Sequence, residues 1–119
     1  MLPALRELLL RGDGAGELQG PDVLVGRAEH PSCGDEVIVH VQLEAGRVRD
    51  LRWQAAACPA STAIAALAAK VLPGAETAAC GALLQQEVAR HGGLAAHERH
   101  AEALVLRALA AAIEGGARR

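Results

Sequence analysis

Five side chains stand out for their chemistry and spacing: Cys33, Asp35, Cys58, His97 and His100. Cys33 and Asp35 flank a single glycine in Pro31-Ser32-Cys33-Gly34-Asp35, a loop tight enough to turn a thiol and a carboxylate toward one point. Cys58 directly precedes Pro59. Proline suits the first position of a helix, where no amide donor is needed, so Cys58 is expected at a helix N-terminus, whose partial positive charge favours a thiolate. Metal binding and persulfide chemistry both require thiolates. His97 and His100 sit near the start of the last helical stretch, and either imidazole can complete a tetrahedral zinc shell. Plainer readings stand beside these. Asp35 can cap its own turn, the cysteines can be small buried residues, and His97-Glu98-Arg99-His100 can be a solvated entry segment. Cys80 falls on the apolar stripe of a helix and reads as core packing. His30, His40 and His91 are assigned no role.

The elements that must position these residues follow from periodicity. Glu36 to Leu43 alternates, with Val37, Val39, Val41 and Leu43 on one side, as a half-buried strand does. Glu44-Ala45-Gly46-Arg47 supplies a turn, and Val48 to Ala55 returns antiparallel with Leu51 and Trp53 inward. A hairpin brings its ends together, so Cys33 and Cys58 are expected side by side at one end of a sheet. Asp22 to Arg27 reads as a short edge strand. Helical spacing appears four times: Leu2 to Arg11, then from Pro59 to the Pro73-Gly74 stop, then about Glu76 to His91, then about Ala96 to Ala112. Gly12, Gly14 and Gly16 predict a pliable connection after the first helix, and Gly115 to Arg119 a frayed end. Strands followed by helices predict an α+β fold, a small antiparallel three-stranded sheet with helices packed on one face.

Bulk properties set the outer bounds. The 119 residues suit one domain, 1–119, with 1–20 as an N-terminal helix and flexible connection. Alanine supplies much of the apolar half, and Trp53 is the one aromatic among Phe, Trp and Tyr, so the core is expected to be close-packed Ala, Leu, Val and Ile. A net charge of −2 argues against non-specific nucleic-acid binding. No apolar run approaches the roughly 20 residues of a membrane span, and the first ten residues read as no export signal. Three cysteines, an odd count, favour reduced thiols in the cytoplasm over a disulfide framework.

Together these features resemble the U-type iron–sulfur cluster assembly scaffolds: IscU, SufU and the N-terminal domain of NifU. Pro31-Ser32-Cys33-Gly34-Asp35-Glu36 is similar to that family's N-P-x-C-G-D segment. The hairpin with Trp53 and Ala57-Cys58 resembles the strand leading to its second cysteine, and Ser61–Leu72 with Pro73-Gly74 its next helix and turn. The resemblance covers roughly Val23 to Ile113 and implies a SufE/NifU-like fold. It implies ligand roles for Cys33, Asp35 and Cys58. At the third-cysteine position of the family it sets Ala101, with His100 on the preceding histidine, so His100 is the expected fourth ligand. The family's L-P-P-V-K chaperone segment is replaced by Leu94-Ala95-Ala96-His97-Glu98, and its N-terminal signature is missing.

The implied function is a scaffold or carrier for a metal ion, iron or zinc, or for a labile iron–sulfur cluster. A cysteine desulfurase and recipient apo-proteins would be its partners, without nucleic acid or membrane. It would act as a monomer or weak homo-oligomer, and not as an enzyme. A second reading is a zinc-containing sulfur-transfer protein of SufU type with Cys58 the candidate persulfide acceptor. A third is a degenerate paralogue that keeps a structural metal. A hydrolase pairing Cys33 with His100 is the most distant, since no oxyanion-hole loop is legible.

Overall fold

The computed structural model describes residues 1–32 and 34–115. Three strands, β1 (Val23–Glu29), β2 (Glu36–Glu44) and β3 (Arg47–Ala56), form one antiparallel sheet in the order β1-β2-β3. Four helices, α1 (Pro3–Arg11), α2 (Pro59–Val71), α3 (Cys80–Arg90) and α4 (Arg99–Ala110), complete the α+β fold. Alternation decides which face of the sheet is covered. Val37, Val39, Val41, Leu51 and Trp53 are buried together, and the register sets Val39 opposite Trp53 and Val41 opposite Leu51. α2 lies over β3 and α4 over β1, while α1 and α3 pack against α2.

α2 is the centre of the core. Ala60, Ser61 and every residue from Ala63 to Ala68 are buried, so burial runs round the helix instead of along the single stripe its larger side chains suggest. Alanine makes this possible, because a helix apolar on all sides must be enclosed and small side chains let neighbours approach. β1 meets α4 at Gly26, where an added methyl would run into the backbone of Ala108 and Ala112. Arg107 of α4 donates to the carbonyl of Glu29 at 3.3 Å. The end of β1 is thereby tied to α4.

Several boundaries differ from expectation. The edge strand continues through Ala28 and Glu29, which pair with Val37 and Glu36. The third helical stretch opens with a 3-10 turn, Thr77–Ala79, before α3, and the fourth with a 3-10 turn, Ala96–Glu98, before α4, which ends in a π turn, Ala111–Gly115. The glycine-rich connection is hydrogen-bonded to β3. Trp53 donates its amide to Gly14 O at 3.0 Å and accepts from the Gly16 amide at 2.8 Å, and its indole N–H donates to Asp13 O at 2.7 Å. The predicted frayed end beyond residue 115 lies outside the described residues. Among the described residues no helix is long and apolar enough to cross a membrane.

Candidate metal centre

The hairpin mouth builds the site. Glu36 of β2 pairs with Ala56 of β3, so the residue before β2, Asp35, and the residues after β3 arrive together. The loop between β1 and β2 is closed by its backbone: His30 donates to Asp35 O at 2.7 Å, and Gly34 donates to His30 O at 2.9 Å. Gly34 has φ +73°, the left-handed region that glycine enters without steric cost.

Cys58 is the N-cap of α2, with extended backbone (φ −63°, ψ 159°) and Pro59 in the first turn, as the sequence predicts. Its amide N–H donates to Asp35 Oδ2 at 3.0 Å, which pins the loop to the helix start. Its Sγ lies 3.4 Å from Ser61 Oγ and 3.6 Å from His100 Nε2. His100 stands in the first turn of α4. One donor atom each from Asp35, Cys58 and His100 lies within 4.8 Å of the others, all three side chains half-buried. An oxygen, a sulfur and a nitrogen from three separate segments therefore converge. Such a mixed set suits borderline cations such as Zn²⁺ or Fe²⁺.

The remaining sequence candidates fall as follows. Cys33, the other expected thiol, lies outside the described residues. His97 is exposed and is not in the donor cluster. It lines, with Cys58, Pro59, Glu98 and His100, a cleft of about 350 Å³ beside the site. Glu98 holds the turn into α4, accepting from the Ala95 amide at 3.2 Å, and that hydrogen bond is the main cause holding its carboxyl below the usual range. Ala101, at the third-cysteine position of the resemblance, is fully buried. Cys80 is core, as expected: it is buried, its thiol donates to Glu76 O at 3.4 Å, and burial pushes its pKa up.

Two residues at the site were not legible as part of it. Ser61 is buried beneath the Cys58 sulfur, and its one sequence signal is lying one helical turn after the cap. His30 meets His100 with ring centroids 5.2 Å apart and planes at 70°. Nothing local in the sequence announces that meeting, which depends on β1 packing against α4.

A sheet backed by helices, with mixed donors gathered where the hairpin opens, defines a small α+β protein organised around one polar corner. The family model described as NifU-like N terminal domain matches residues 11–118. The chain belongs to that family, which is associated with iron–sulfur cluster assembly. Among solved structures it is similar to the N-terminal part of a nitrogen-fixing NifU-like protein from Brucella abortus (20% identity, 99% of this chain and 94% of that one covered, TM-score 0.77). It is also similar to a putative iron–sulfur cluster assembly scaffold protein for the SUF system from thermophilic Fervidobacterium islandicum AW-1 (14% identity, 96% of each chain, TM-score 0.73). At these identities the likeness speaks for the fold alone. No curated protein matches the chain by sequence.

Proposed function

We propose that this chain is an iron–sulfur cluster assembly scaffold or carrier, and that Asp35, Cys58 and His100, with Cys33 as a further thiolate, hold its cargo. Family membership supports the scaffold role. The observation that carries the site is the meeting of O, S and N donors within 4.8 Å. A tetrahedral ion with bonds of about 2.3 Å to sulfur and 2.0–2.1 Å to nitrogen sets those two donors about 3.5 Å apart, and Cys58 Sγ and His100 Nε2 lie 3.6 Å apart. A single Fe²⁺ or Zn²⁺ ion or a labile cluster fits the donor chemistry. One thiolate exchanged for imidazole raises a cluster's potential, as in Rieske centres, and a carboxylate ligand eases release. A cysteine desulfurase supplying sulfur and apo-proteins receiving the cargo are the partners of this reading, in the cytoplasm, with residues 1–119 acting as one unit. The scaffold itself turns over no substrate.

The test is anaerobic purification followed by metal and acid-labile sulfide analysis of wild type, Cys33→Ser and Cys58→Ser. The expected result is stoichiometric iron or zinc in wild type and loss of most of it in both variants. Wild type without either metal, together with a Cys33→Ser chain that behaves identically, refutes the reading.

The cleft beside Cys58 supports a second reading, sulfur transfer of SufU type. With Ala101 where the resemblance sets a cysteine, Cys58 or Cys33 is left to serve, and Cys58, which lines the cleft, is the candidate acceptor. Its thiolate attacks the terminal sulfur of a donor persulfide, a new S–S bond forms on Cys58, and the donor leaves as thiolate. Mass spectrometry after incubation with a desulfurase and cysteine then finds a gain of one sulfur atom on the peptide carrying Cys58. An unmodified chain rejects this route.

A further inference from the structure

The proposed centre needs the His100 imidazole aimed at the Cys58 sulfur. His100 is half-buried in the first turn of α4, where the rotamers open to a surface side chain include ones that swing the ring toward solvent. In the structure the ring is met by another. His30 stands edge-to-face with it, centroids 5.2 Å apart at 70°. His30 is itself held: the Ser32 amide donates to its Nδ1 at 3.3 Å, and its own backbone bonds residues 34 and 35. The strand leading into His30 is fixed to α4 by the Arg107–Glu29 hydrogen bond and by the close approach at Gly26, so the gap between the two rings has a set width.

We infer that His30 is a positioning residue, which holds the His100 imidazole with Nε2 toward Cys58 and thereby sets how tightly the centre takes a divalent cation. The effect on affinity rests on the proposed metal-holding function; the ring contact itself does not. A centre with one imidazole among its donors depends on how that ring is turned, and a second ring held against it keeps it in place. Partners that orient metal ligands typically alter affinity by about 10–100-fold.

The experiment uses the full chain as wild type, His30→Ala and His30→Phe. Histidine-selective NMR of the apo proteins is recorded first, then Co²⁺ is titrated alone and followed by its visible bands. The expected results are a ring-to-ring nuclear Overhauser contact in wild type, His100 ring resonances displaced in His30→Ala and largely restored in His30→Phe, and Co²⁺ affinity about tenfold weaker in His30→Ala but recovered in His30→Phe. Unmoved His100 resonances in His30→Ala overturn the proposal. So does a His30→Phe chain that binds Co²⁺ as weakly as His30→Ala, since His30 then contributes a donor atom and not a ring. Should wild type take up no Co²⁺ while its ring contact is present, the metal reading falls and the positioning contact stands.

Discussion

Asp35 offers Oδ2 to the Cys58 amide at 3.0 Å while its carboxylate lies in the donor cluster, so an observed structural role and the proposed ligand role share one side chain. Two substitutions separate them. Asparagine keeps an oxygen that can accept from the Cys58 N–H but gives up the negative charge. We expect Asp35→Asn to stay within about 0.5 kcal/mol of wild type in urea unfolding yet to bind Zn²⁺ at least about tenfold more weakly in a competition titration. Asp35→Ala removes both roles and additionally costs about 1 kcal/mol, as the amide N–H loses its acceptor. Equal Zn²⁺ affinity in wild type and Asp35→Asn would count against Asp35 as a ligand. At this scale the meeting of Asp35, Cys58 and His100 was partly legible, because an aspartate after a loop glycine, a cysteine before a helix-starting proline and a histidine in an entry segment each carry local signals, while Cys33 lies outside the described residues. His30 carries none. Its partner is far along the chain, and only the docking of β1 on α4 brings the rings together.

Among the elements, β1 and α4 place the two imidazoles, because His30 follows one and His100 lies in the first turn of the other. Their contact turns on Gly26, at which any side chain would collide with backbone at Ala108 and Ala112. Gly26→Ala is expected to cost about 1–3 kcal/mol in urea unfolding, the usual range for overpacking, and to weaken metal binding as α4 is pushed away from the loop. A variant as stable as wild type would show that α4 yields easily there. Periodicity made the strands and helices readable, since Val37, Val39 and Val41 alternate and Leu104, Val105 and Ala108 recur at helical spacing. It did not show the 3-10 turns before α3 and α4. The second depends on the Glu98 carboxylate reaching back to the Ala95 amide, an interaction with no hydrophobic period. Nor did it show the glycines after α1 paired to β3, because backbone pairing leaves no side-chain pattern to read.

Over the whole molecule, the hairpin separates two ends with different demands. Asp35 and Cys58 sit at its open end. At the other, beyond a nine-residue strand spanning roughly 30 Å, the chain turns through Ala45 (φ +53°) and Gly46 (φ +76°). Two successive positive φ angles are those of a type I′ turn, which favours Asn-Gly. Alanine is an expensive occupant there, since a left-handed backbone costs an ordinary residue about 1–2 kcal/mol. Ala45→Asn is therefore expected to raise the melting temperature and leave Zn²⁺ affinity unchanged, and a shift in affinity would mean that the two ends communicate. That remote turn gives a protein engineer a dial for robustness mounted well clear of the working parts, so a tougher version of this molecule is within reach of a single conservative replacement.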